Sequence, residues 1–115
     1  MPNGESRYTI VIVDDEEMVL KSLKSFLELE TDYKVKTFVS PRTAIDYIRQ
    51  HEIDLVLSDY LMPDMDGLQF LDLVKKERPE VPRIILTGYA DKENAIKAIN
   101  DIGLFRSALE GAEFV

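Results

Sequence analysis

The feature that most constrains this chain is an alternation of short, β-branched apolar runs with longer stretches whose apolar residues recur every three or four positions. Thr9–Val13 (TIVIV) carries no charge at all, as suits a strand buried on both faces. Behind it, Val19, Leu20, Leu23, Phe26 and Leu27 fall on one helical stripe. Residues 33–38 alternate Lys34 and Lys36 with Val35 and Thr37, which suits an edge strand, where lysine discourages pairing with other chains. Ser40-Pro41 reads as an N-cap and first-turn proline, opening a helix that turns Ala44, Ile45 and Ile48 inward. Residues 55–58 form a third apolar run. A helix over 67–76 follows, with Leu68, Leu71 and Val74 inward, stopped before Pro79. Pro82 precedes a fourth strand, Arg83–Leu86, and Asp91 caps a fourth helix with Ala95, Ala98, Ile99 and Ile102 inward. Strand and helix in strict succession predict an α/β fold, a parallel sheet covered by helices.

With 115 residues, the expectation is one domain over 1–115 with one buried core. A net charge of -8 repels nucleic acid and anionic membranes, so neither is an expected partner. Without cysteine, disulfides and thiolate metal sites are excluded. The polar residues 1–7 lack the apolar stretch of a secretion signal, and no run approaches the roughly 20 apolar residues that span a bilayer. A cytoplasmic location is the default expectation.

In an open parallel sheet, ligands bind outside the carboxyl ends of the strands. The residues there are Asp14, Asp15 and Glu16 after the first strand, Asp59 after the third and Thr87 after the fourth. Carboxylates gathered this closely repel one another, and a cation is the natural way to hold them together. An all-oxygen set with room for water favours magnesium, with manganese as a substitute. The competing reading makes these acids helix caps: Asp15 and Glu16 lie where a helix dipole favours negative charge, and Asp59 could cap a short turn.

Three segments, 10–16 (IVIVDDE), 54–67 (DLVLSDYLMPDMDG) and 84–88 (IILTG), resemble the signature segments of response regulator receiver domains, in the same order and spacing. The resemblance runs over residues 8–106. It implies a flavodoxin-like, doubly wound parallel sheet of strand order 2-1-3-4. It also implies that Asp59 accepts a phosphoryl group from a histidine of a sensor kinase. By the same resemblance Asp15 and Asp59 bind magnesium directly, Asp14 acts through water, the backbone carbonyl of Leu61 is a further ligand, and Thr87 hydrogen-bonds a phosphoryl oxygen. Tyr89 would border the site or pack on the fourth helix. Phosphoryl transfer fits such a site, because it asks for in-line positioning and charge neutralisation. The resemblance is to a signalling module and not to an enzyme. A phosphohydrolase would need a second aspartate two residues after the nucleophile, where this chain has Leu61.

Smaller features take plain readings. His51 sits near a helix end, as a charge partner for that terminus. Met62 and Met65 serve packing, and Lys75, Lys76, Glu77 and Arg78 form a solvated helix end.

After Arg106 the family pattern fails. Ser107 stands where an aromatic switch residue is expected, Glu110 stands near a lysine's place, and no Lys-Pro pair follows Ile102. A fifth strand and fifth helix are therefore missing or altered, with an atypical tail over 107–115. Ala95, Ile99, Ile102, Phe105, Leu109 and Ala112 keep helical phase through Gly103, which suggests a fourth helix extended through the C-terminus and packed on a second copy as a homodimer. A short fifth strand over 104–108 is the alternative. Two functions follow: a receiver whose output is impaired by the lost lysine and aromatic, or a non-switching decoy that docks a kinase or self-associates.

Overall fold

A computed structural model of the chain describes residues 8–60 and 62–86. Four strands and three helices alternate: β1 (Thr9–Val13), α1 (Glu17–Glu30), β2 (Lys34–Phe38), α2 (Pro41–Gln50), β3 (Leu55–Asp59), α3 (Gly67–Glu77) and β4 (Arg83–Leu86). The strands form one sheet of order β2-β1-β3-β4, with all pairs parallel. The expected order and the edge position of β2 both hold. The fourth helix, the tail, Thr87, Tyr89 and the backbone of Leu61 lie outside the described residues.

Side chains of a strand alternate between faces, so β1 feeds two cores. Ile10 and Ile12 join Leu20, Leu23 and Leu27 of α1, with Val35, Leu55 and Leu57. Val11 and Val13 turn the other way, to Ala44, Ile45 and Ile48 of α2 and Phe70, Leu71 and Val74 of α3. Helices on both faces of a parallel sheet are the doubly wound arrangement. Burial of both sides explains why β1 and β3 carry no alternating polar residues. At the sheet edge, Lys24 of α1 donates to the backbone carbonyl of Val35 at 3.1 Å, a cationic guard on β2.

Local signals set the helix starts. Ser40 Oγ accepts from the Arg42 N–H at 3.2 Å, with Pro41 in the first turn. Asp66 and Gln69 form a reciprocal capping box on α3, with Gln69 N–H donating to Asp66 Oδ1 at 2.8 Å. The N-cap residue of α1, Glu16, makes no side-chain cap bond.

Three expectations need correction. Leu68 is 42% exposed and Phe70 fully buried in its stead; Phe26, expected inward, is 39% exposed. Arg78 is not a solvated helix end. Its guanidinium donates to the carbonyls of Ile48 at 2.9 Å and His51 at 3.0 Å, closing the C-terminus of α2, while Glu77 pairs with Arg49 at 3.0 Å. His51 is the C-cap of α2 and exposed, its ring stacked on Tyr47 at 3.9 Å with Nδ1 3.0 Å from the Tyr47 carbonyl. Met62 and Met65 pack, half-buried, on the core beneath α2 and α3.

Candidate functional site

Register alone brings the acids together. Val13 pairs with Ser58 across β1 and β3, so the next residues, Asp14 and Asp59, stand level at the carboxyl end of the sheet. Asp59 in turn pairs with Leu86, the last residue of β4, which directly precedes Thr87 in sequence. Asp14 is fully buried, Asp59 half-buried and Asp15 exposed. One carboxylate oxygen from each lies within 4.8 Å of the other two.

The competing cap reading is met only in part. Asp14 Oδ1 accepts the N–H of Glu16 at 2.9 Å, a local turn that leads the chain from β1 into α1. Asp59 Oδ1 accepts the N–H of its neighbour Tyr60 at 3.0 Å. These bonds orient the carboxylates without neutralising them. Burying a carboxylate costs several kcal/mol unless hydrogen bonds and opposite charge compensate it. Three like charges in this space need more compensation still.

The donor set tests what ion would fit. It is all carboxylate oxygen, hard and anionic, with no nitrogen or sulfur among the three. That favours a hard cation over zinc and suits magnesium, which takes one or two carboxylates directly at about 2.0–2.1 Å and keeps several waters, through one of which the third carboxylate would act. The residues fit a magnesium ion.

The floor of the site is tightly packed. Gly67, the first residue of α3, lies directly against the backbone of Asp59. A Cβ at position 67 would run into the Asp59 carbonyl oxygen, lie 3.1 Å from its carbonyl carbon and 2.9 Å from Ile85 Cδ1. The Gly67 N–H also donates to the carbonyl of Tyr60 at 2.8 Å. Helix α3 therefore starts in van der Waals contact with the residue at the centre of the site. Sequence reasoning placed Gly67 only at the start of a helix. Its close approach depends on two segments meeting, which no local pattern displays.

No helix among the described residues is long and apolar enough to cross a membrane.

Comparison with known proteins agrees with this geometry. A family model described as the response regulator receiver domain matches residues 10–106. The hydrogenase transcriptional regulatory protein HoxA of Cupriavidus necator is 30% identical over 93% of this chain and 22% of its own length. The response regulator protein VraR of Staphylococcus saprophyticus is 34% identical over 79% of this chain and 44% of its own length. This chain thus spans less than half of either regulator. The crystal structure of a CheY-like receiver domain protein from Methanospirillum hungatei superposes with a TM-score of 0.69 at 36% identity, covering 83% of this chain and 75% of the other. With its signature segments, strand order and acidic cluster all in agreement, the chain belongs to the response regulator receiver domain family.

Proposed function

We propose that this receiver accepts a phosphoryl group on Asp59 from the phosphohistidine of a sensor kinase, with magnesium held by Asp14, Asp15 and Asp59. The observation that carries the reading is the meeting of three carboxylate oxygens within 4.8 Å at the carboxyl end of the sheet, one of them on a strand-end aspartate. Bound magnesium supplies positive charge that offsets the carboxylates and the incoming phosphoryl oxygens. The protein's own part is positioning. Tyr60 N–H holds one oxygen of Asp59, and the packed start of α3 prevents the backbone from retreating. A carboxylate oxygen of Asp59 then forms a P–O bond as the P–N bond to histidine breaks, and that bonding pair leaves with the imidazole. Leu61, through its carbonyl, and Thr87, through its hydroxyl, complete the set by resemblance to the family. The chain is in this reading a phosphate acceptor, not a turnover enzyme.

A second part concerns output. Ser107 and Glu110 stand where an aromatic and a lysine belong in the family pattern, and a glutamate opposes a phosphoryl group that a lysine would bind. Phosphorylation of Asp59 is therefore only weakly transmitted to partners, and the chain's self-association through residues 103–115 belongs to the same reading.

The test is incubation with acetyl phosphate, with magnesium or with a chelator, followed by intact mass. Uptake of one phosphate, dependent on magnesium and lost in Asp59→Asn, supports the reading. Uptake that ignores magnesium, or none at any donor concentration, defeats it. Magnesium binding is measured separately by calorimetry, where Asp15→Asn is expected to weaken affinity at least tenfold.

A further inference from the structure

Among the described residues, two polar side chains are fully buried: Asp14, already placed in the acidic cluster, and Ser58. Ser58 is the residue before Asp59. Along β3, Leu57 joins the core under α1 and Val56 the core under α2 and α3, so the alternation turns Ser58 toward the latter face. An apolar residue would fill that place without desolvating a hydroxyl, which is costly unless the group is hydrogen-bonded.

The hydroxyl has a definite target. Ser58 Oγ donates to the backbone carbonyl of Asp59 at 2.9 Å. The β1–β3 pairing ends at Val13–Ser58, one residue short of that carbonyl. The carbonyl belongs to the planar peptide joining Asp59 to Tyr60, and the other end of the same plane is the Tyr60 N–H that holds Asp59 Oδ1 at 3.0 Å. A peptide plane is rigid, so fixing its oxygen fixes the direction of its N–H. Ser58 thus holds one end of a lever whose other end holds the carboxylate, while Gly67 closes off the space beside it.

We propose that Ser58 is a positioning residue for phosphoryl transfer, aiming the Asp59 carboxylate through the 59–60 peptide. The proposal rests on the reading of Asp59 as the acceptor. Losing the hydroxyl lets the plane rock, which loosens the Tyr60 N–H from Oδ1 and spreads the directions from which the other oxygen can approach phosphorus in line.

Two measurements on the full chain test this. With acetyl phosphate and magnesium, the phosphorylation rate at saturating donor is expected to fall about three- to tenfold in Ser58→Ala, the factor for one net hydrogen bond, with an unchanged half-saturating concentration. Ser58→Cys, a weak donor of similar size, should behave like Ser58→Ala, and Ser58→Thr, which keeps the hydroxyl, should recover the rate. Without donor or metal, amide hydrogen exchange at Tyr60 should quicken in Ser58→Ala by a similar factor while that at Leu57 and Val74 stays as in the wild type. A Ser58→Ala protein equal to wild type in rate and Tyr60 exchange overturns the proposal, as does equal acceleration across all of β3. A wild-type chain that takes no phosphate defeats the acceptor reading alone. The Tyr60 exchange needs neither donor nor metal, and decides what Ser58 holds by itself.

Discussion

Substituting Gly67 with alanine asks how tightly the site is built onto α3. In an exposed first turn this change would be neutral or mildly stabilising, because alanine is the better helix former by up to about 1 kcal/mol. Here the new methyl meets the Asp59 carbonyl oxygen head-on and lies 2.9 Å from Ile85 Cδ1. Carbon–oxygen contacts settle at about 3.3–3.6 Å, so strand and helix must part by on the order of 1 Å. The obstacle is backbone, which cannot swing aside as a long side chain would. Overpacking of this kind costs about 1–3 kcal/mol, more than the helix propensity returns. For a domain of this size a loss of about 2 kcal/mol lowers Tm by roughly 6–12 °C. A shift of about 1 Å at a reacting group can also slow transfer on the order of a hundredfold. Thermal melting by circular dichroism reads the first effect and phosphorylation kinetics read the second. An unchanged or raised Tm with normal kinetics would refute the contact.

Arg78→Ala should lower stability by about 1–3 kcal/mol in urea unfolding, since it strips the cationic donor from the carbonyls of Ile48 and His51, and Arg78→Lys should recover only part. Phe70→Ala should cost about 3–5 kcal/mol and Leu68→Ala under about 0.5 kcal/mol; similar losses at both positions would mean α3 is rotated from its described phase. Burial raises the phenol of Tyr47, and burial followed by nearby Tyr8 raises that of Tyr33, above the ordinary 10.0. The fold favours the neutral phenols, so their contribution to stability is complete below pH 10.0 and is lost as pH climbs through the folded-state values. Phenolate absorbance compared with Tyr33→Phe and Tyr47→Phe checks this: ionisation of both groups along with the exposed tyrosines would contradict it.

Most of the architecture was legible because burial on both faces leaves a plain mark. TIVIV could hardly sit anywhere but mid-sheet, and Lys34 and Lys36 marked β2 as the edge. Asp14, Asp15 and Asp59 were legible for a topological reason: a parallel sheet delivers its strand ends to one side, whatever the side chains. The phase of α3 was not. Apolar residues at 68, 70, 71, 73 and 74 make an arc wide enough for two rotations, and the choice is fixed by Gly67 seating against Asp59. Arg78 reads as solvated in the sequence because its acceptors lie 27 and 30 residues away, beyond any local pattern. Ser58 was invisible for a subtler reason. Its value depends on where the β1 ladder stops, a matter of one residue that propensity does not resolve.

In the proposed function, the strand-end carboxylate of β3 becomes the acyl phosphate. Reduction of the phosphorylated chain with borohydride converts an acyl phosphate to an alcohol and leaves homoserine where the aspartate stood, which peptide mapping then locates. Homoserine is expected at position 59 alone, in amounts that rise with phosphate uptake and vanish without magnesium. Homoserine at another carboxylate, or phosphate that survives borohydride because it sits on a hydroxyl or a nitrogen, would contradict it.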